Sequence, residues 1–206
     1  MSAHHQIIEH IVLLHVKPDV DPTKVAAMID KSNGLARLTA YLSVGKLVGC
    51  SHNFTHMLHS RYRSKDDLQA YYKNPEHLHV VAEYIQPVVD DVLIVDWVSS
   101  EGFSKSPKPR SAMRVRLLKL KKDLVEHGLV ERIVSEFKSC EDVSVGENFS
   151  HDLAQGYSIG MIHVFPDLEA VASDSDHKKL HESKVTDFIE KEIVVDYVVQ
   201  PSHTHN

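Results

Sequence analysis

The sequence predicts an α+β protein made of two copies of one β-α-β-β-α-β unit, packed sheet against sheet within a single chain. Three observations predict it. The chain repeats itself: Asp67-Leu68-Gln69-Ala70 returns as Asp167-Leu168-Glu169-Ala170, and Leu93-Ile94-Val95-Asp96-Trp97-Val98 returns as Ile193-Val194-Val195-Asp196-Tyr197-Val198, both at an offset of 100, with His77 matched by His177. Toward the N-terminus the offset drifts to 101 (Val44-Gly45 and Val145-Gly146), 103 (Phe54-Thr55 and Tyr157-Ser158) and 104 (Ile11 to Lys17 and Val115 to Lys121), as short loop insertions would produce. Between the copies, Ser99 to Ala112 has the composition of a linker, with Gly102, Pro107, Pro109 and Ser99, Ser100, Ser104 and Ser106. Finally, the first strand is apolar on both faces, so both need cover.

The units are therefore 7–98 and 113–199, joined by 99–112. In the first, Ile8, His10, Val12, Leu14 and Val16 alternate with Glu9, Ile11, Leu13, His15 and Lys17, a strand period. Asp21-Pro22 supplies an N-cap and first helical residue, Val25, Met28 and Ile29 follow at helical spacing, and Asn33-Gly34 ends the helix. Tyr41 to Val48 is a second strand, with Gly45 marking a bulge or a close approach. Phe54 to Tyr62 is a third. Ser64 caps the next helix, Asp67 lies in its first turn, and Asn74-Pro75 interrupts it after Tyr71. A further helical stretch carries Val80, Val81, Tyr84, Ile85 and Val88, and Val92 to Val98 closes the unit as a strand. This order is ferredoxin-like. The unit's helices cover one sheet face, and the second copy is expected to cover the other, closing a dimeric-type α+β barrel within one chain and creating its cavity. Two independent domains would each leave a sheet face in water.

Composition narrows the function. With 206 residues, 42% of them hydrophobic and 25% charged, the chain is ordinary for a soluble globular protein. No apolar run approaches the length of a membrane span. A net charge of −6 argues against nucleic acid as a partner. Cys50 and Cys140 read as reduced thiols, and no CxxC pair or other spacing suggests a metal. The N-terminus lacks the regions of a signal peptide, so the expected location is the cytoplasm, with the nucleus also open to it. The chain carries sixteen histidines, several of them near its ends, and protonating all of them would take the net charge from −6 to +10.

Four segments together resemble the stress-response A/B barrel domain of the dimeric α+β barrel group: Glu9-His10-Ile11-Val12-Leu13, Phe54-Thr55-His56-Met57, Tyr71-x-x-Asn74-Pro75-x-His77 and Val92-Leu93-Ile94-Val95-Asp96. The resemblance covers nearly the whole chain, twice, and implies a tandem version, found in plants, of domains that otherwise pair as homodimers. Association of two such chains stays open. The family includes heat-stable defence proteins and a polyketide cyclase, olivetolic acid cyclase, that folds a linear chain by intramolecular aldol condensation. The resemblance implies that Tyr71 and His77 match the cyclase's catalytic tyrosine and histidine. It also implies that His10, Val12, Leu14, His56, Leu58, Val89, Val92 and Ile94 stand at pocket positions. Here Asn74 replaces a histidine before the proline, and Val89 stands near the position of a bulky aromatic. Some relatives hold a cation after the first helix, here near Asn33 to Ala36, through ligands that are largely backbone oxygens.

An aldol cyclisation needs a base to take a proton between two carbonyls and a donor for the oxyanion that forms. A neutral imidazole (His77) and a phenol (Tyr71) suit these roles, and neither a metal nor an organic cofactor is required. The second unit departs from the pattern: Val171 replaces Tyr71, Ser175 the proline, Asp174 stands at the Asn74 position, Arg114 replaces His10 and Ile159 replaces His56, although His177 remains. At most one cyclase-like site is expected. The main reading is a protein of stress or defence response that binds a small apolar or polyketide-like molecule in the barrel cavity. The alternatives are a cyclase-like enzyme and a structural interaction module.

Overall fold

The structure is a computed structural model of the whole chain, and it describes residues 6–99, 106–121, 128–137, 142–173 and 185–200. The first repeat comprises β1 (Ile8–Val16), α1 (Pro22–Asn33), β2 (Tyr41–Lys46), β3 (Gly49–Cys50), β4 (His56–Tyr62), α2 (Lys65–Lys73), α3 (Pro75–Val80) and β5 (Val89–Val98). The second comprises β6 (Ala112–Leu120), α4 (Leu129–Phe137), β7 (Val143–Glu147), β8 (Ile159–Phe165), α5 (Leu168–Ala172) and β9 (Ile189–Val198). No helix among the described residues is long and apolar enough to cross a membrane.

Each repeat folds into an antiparallel sheet of ferredoxin-like order, β2-β4-β1-β5 in the first and β9-β6-β8-β7 in the second, with β3 of the first repeat added to the edge at β9. The sheets face one another. Ile11, Leu13, Met57, Leu93, Val95 and Trp97 from one meet Met113, Val115, Leu117, Ile162, Ile193, Val195 and Tyr197 from the other in one buried cluster. Closure is therefore as expected, and these side chains pack the space between the sheets. Candidate site residues lie on the opposite face, beneath the helices.

A near two-fold pattern joins the repeats. The last strand of each sends an aromatic ring onto a Ser-x-Gly of the other. Trp97 Nε1 donates to Ser144 Oγ at 3.0 Å, and Tyr197 Oη lies 2.7 Å from Ser43 Oγ. Gly45 marks a close approach, not a bulge: the β2–β4 register runs unbroken, and a Cβ there would lie 3.2 Å from the Tyr197 ring. Each repeat also lends the other a loop. Val48 N donates to Asp196 O and Phe149 N to Asp96 O, each at 2.9 Å. This crossing is why the second strand stops at Lys46 and not at Val48.

The helices follow their local signals. Asp21 accepts from Thr23 N at 2.8 Å, and Pro22 opens α1. Asn33 ends α1 and its side chain pairs with Val44 of β2, while Gly34 stays right-handed and begins a short 3-10 segment, Gly34–Leu38. Ser64 accepts from Asp67 N at 3.0 Å. Asn74 is extended, as a residue before proline must be, so it ends α2 and caps α3 through Glu76 N at 2.9 Å. In the second repeat the residue aligned with Asp67, Asp167, is itself the cap, accepting from Ala170 N at 2.9 Å.

Candidate functional site

Strand pairing sets out the site. In the antiparallel ladders His10 stands opposite Ser60 of β4 on one side and Asp96 of β5 on the other. Directly paired residues share a face, so His10, Ser60, Tyr62 and Asp96 all point toward the helices. The helix break at Asn74-Pro75 folds α3 back so that the His77 ring meets that of Tyr71, with centroids 4.3 Å apart and planes 42° apart. Tyr62 lies 5.3 Å from Tyr71, and Tyr72 lies 5.6 Å edge-on to His10.

A hydrogen-bonded group forms the floor. His10 Nδ1 lies 2.6 Å from Asp96 Oδ1, and Tyr72 donates to Asp96 Oδ2 at 3.0 Å. His10 and Asp96 are 2% and 0% exposed. Burial pushes the Asp96 carboxyl up, but the charge of His10 and the hydrogen bonds from His10, Ser150 and Tyr72 outweigh it and hold the pKa below its ordinary value. Asp96 is therefore an ionised acceptor, and His10 Nδ1 carries the hydrogen that it accepts. Burial, the largest cause in each case, raises the phenols of Tyr62, Tyr71 and Tyr72, so they act as donors. Burial also holds His77 below its ordinary pKa, against a smaller opposing pull from the Tyr72 backbone, so its ring is neutral near pH 7. His77 Nδ1 is buried without a hydrogen-bond partner.

A cleft of about 420 Å³ opens beside this group. Its walls are Arg37 to Ala40 after α1, Tyr62 and Arg63 at the end of β4, and Asp67, Ala70, Tyr71 and Asn74 along α2. Among the residues singled out in the sequence, Tyr71 lines the cleft, His77 packs on Tyr71, and His10 lies in the floor. The others stand apart. Val12, Leu14, Leu58, Val89, Val92 and Ile94 share the helix-facing side but pack with Met28, Val44 and Val88 into a core cluster, and none lines this cleft. His56 lies at the far end of that face, opposite Leu14, with Nδ1 2.9 Å from Thr55 Oγ1. Among the described residues no group of three or more histidines, cysteines or acids could hold a metal. The sequence reading did not single out Tyr62, Tyr72, Asp96 or Ser150. An acid inside an apolar strand, present in both repeats, was a usable signal for Asp96; Ser150 belongs to the other repeat's loop and gave none.

Among the described residues of the second repeat this chemistry is not repeated. Arg114 stands where His10 does and holds Asp196 through two bonds of 2.8 and 2.9 Å. A guanidinium stays protonated at working pH, so this pair cannot move a proton. Tyr71 and Tyr72 are matched by Val171 and Ala172. Asp174, Ser175 and His177 lie outside the described residues, as does Cys140.

The three histidines held neutral carry a pH dependence. Burial, the first cause for each, lowers His56, His59 and His77. An unfolded chain protonates its histidines near pH 6.5, while the folded chain resists, so this stability is present above that pH and lost as pH falls below it. Fully buried His59 alone supplies a slope of up to about 1.4 kcal/mol per pH unit. The urea midpoint is expected to fall between pH 7.5 and 5.5, and less so in His59→Phe; a midpoint flat across that range contradicts the assignment.

Two ferredoxin-like repeats closed sheet to sheet, with a polar site under the helices of the first, make this a dimeric-type α+β barrel built from a single chain. The chain belongs to the Dabb family: the model for the stress responsive A/B barrel domain matches residues 8–99 and 113–199. It is 38% identical over 211 residues to a stress-response A/B barrel domain-containing protein of Arabidopsis thaliana, covering 96% of this chain and 80% of that one. To a second protein of that description from the same plant it is 35% identical over 207 residues, covering 95% and 98%. Among solved structures, an anthrone oxidase-like protein superposes with a TM-score of 0.64 at 9% identity, covering 96% of this chain and 92% of the other, a likeness of fold alone.

Proposed function

We propose that the first repeat binds a small apolar or polyketide-like molecule in the cleft between the 3-10 segment and α2, and that the protein serves a stress or defence response through that ligand. The observation that carries this reading is Tyr71, which lines the cleft with its protonated phenol and rests on the ring of His77. A ligand carbonyl within reach of Tyr71 and Tyr62 would accept their hydrogen bonds, and its apolar part would cover the rings. The stress-response descriptions of the two Arabidopsis relatives support the physiological side.

A second reading, a cofactor-independent cyclase, is favoured by the neutral His77 beside a phenol donor. Here His77 removes a proton flanked by two carbonyls, Tyr71 donates to the forming oxyanion, and the cleft folds the chain for attack. A structural interaction module would fit the filled space between the sheets, but it has no use for a buried acid–base cluster beside a cleft.

Titration with linear polyketide thioesters, followed by Trp97 fluorescence and product analysis, tests both. Saturable binding is expected, weakened about fivefold in Tyr71→Phe, the size of one lost neutral hydrogen bond. Equal affinity of Tyr71→Phe and wild type, or no binding by either, would sink the binding reading. If the protein is a cyclase, His77→Ala lowers conversion by about 100-fold or more while binding persists; product profiles unchanged by His77→Ala remove that reading and leave the binder.

A further inference from the structure

We infer that Ser150, a residue of the second repeat, is a positioning residue for the site of the first, so the site is composite and complete only when the repeats are closed. This rests on the reading of the His10 and Tyr71 region as the functional site.

Asp96 is held from the other repeat at three points. Its N–H donates to Asn148 Oδ1 at 3.0 Å, its carbonyl accepts from Phe149 N at 2.9 Å, and its Oδ2 accepts from the Ser150 hydroxyl. Ser150 is itself fixed, because Asn148 Oδ1 accepts from Ser150 N at 3.0 Å while Asn148 Nδ2 donates to Ser150 O at 2.7 Å and to Tyr157 O at 3.1 Å. Asn148 is 1% exposed, so these bonds form out of water. With Tyr72 and Ser150 both on Oδ2, the carboxylate cannot rotate without losing donors, and Oδ1 stays aimed at His10 Nδ1. The hydroxyl on Asp96 thus sets the ring of His10 without touching a ligand.

The reciprocal crossing shows that this hydroxyl is not a general feature of the loop. Val48 N bonds Asp196 O as Phe149 N bonds Asp96 O, which places Gly49 in the position of Ser150. A Cβ on Gly49 would lie 3.6 Å from Asp196 Oδ2, so the glycine sits beside that carboxylate but offers it no side-chain donor. There Arg114 orients the acid through two bonds. Where the partner is an imidazole, which makes one bond, the crossing loop supplies the hydroxyl.

The test uses the full chain and the proton NMR signal of His10 Nδ1–H, assigned by its loss in His10→Gln. A downfield, slowly exchanging signal is expected in wild type. Ser150→Ala should shift it and raise its exchange rate roughly fivefold, the factor that one lost neutral hydrogen bond carries. Ser150→Thr, which keeps the hydroxyl, should restore it, and Ser173→Ala, an exposed serine of the same repeat, should leave it unchanged. A signal in Ser150→Ala that matches wild type, or no such signal in wild type, overturns the inference. A shifted signal in a protein that binds no linear polyketide thioester supports Ser150 as the holder of His10 and Asp96 while removing the ligand reading.

Discussion

Trp97→Ala is expected to destabilise the protein by about 3–5 kcal/mol, the range for deleting a fully buried large aromatic. Trp97 is 0% exposed and lies between the sheets, against backbone of the other repeat that only glycine can provide. A Cβ on Gly160 would lie 2.3 Å from Trp97 Cε3, and one on Gly146 would lie 2.6 Å from the Val98 carbonyl oxygen. Neither clash can be relieved by a side-chain rotation, because one neighbour is a rigid ring and the other is backbone. Gly160→Ala is therefore expected to cost about 1–3 kcal/mol through overpacking and to redden the emission of Trp97, the only tryptophan in the chain. Trp97→Phe should fall between wild type and Trp97→Ala, since it keeps a ring but loses the bond to Ser144. Urea unfolding followed by circular dichroism measures all three. A loss below about 1 kcal/mol for Trp97→Ala would mean that the closure does not depend on this ring.

Trp97 also shows what the sequence could and could not disclose. Its match to Tyr197, and that of Val44-Gly45 to Val145-Gly146, revealed the repeat, while Gly45 could be read as a bulge or as a close approach. The target of each ring was hidden, because it lies on a second strand of the other repeat. Alternation along β1 was legible and placed His10, Val12 and Leu14 on one face. Which face meets helices and which meets the other sheet was not, since Ile8, Val12 and Leu14 are as apolar as Ile11 and Leu13. Tyr71 and His77 come together because Asn74-Pro75 must break a helix, a local rule that sequence carries in full. Val12, Leu14, Leu58, Val89, Val92 and Ile94, drawn from resemblance, pack in or against the core cluster under the helices, where a residue type suited to a pocket wall is equally suited to close packing. Ser150 and Asn148 reach the site through a crossing loop, and no local pattern encodes such a contact.

Glu9→Ala is expected to cost about 3–5 kcal/mol, because it strands a buried guanidinium. Glu9 lies on the inward face of β1, 0% exposed, with His59 Nε2 2.6 Å from Oε2 and Arg61 Nη2 2.9 Å from Oε1. Arg61 Nε also donates to Oε2 at 3.0 Å. Burial alone would raise the Glu9 carboxyl, but the charge of Arg61 and the hydrogen bonds from His59 and Arg61 hold it below its ordinary value, so the group is ionised and every part of the cluster depends on it. The second repeat solves the same position differently. By strand register and repeat offset, Glu9, His59 and Arg61 correspond to Met113, Ile162 and Val164, all apolar. A buried ion pair gains little over well-packed apolar groups once its desolvation is included, and breaking one partner is what costs. The triple change Glu9→Met, His59→Ile and Arg61→Val should therefore be neutral or stabilising by about 1–4 kcal/mol, although each charge-removing single change is harmful. It should also flatten the pH dependence near pH 6, because His59 is gone. Urea midpoints of Glu9→Ala and of the triple variant at pH 7.5 and 5.5 decide the matter. A triple variant as unstable as Glu9→Ala would show that the cluster contributes to the closure through its own bonds, and that the apolar set of the second repeat cannot stand in for it.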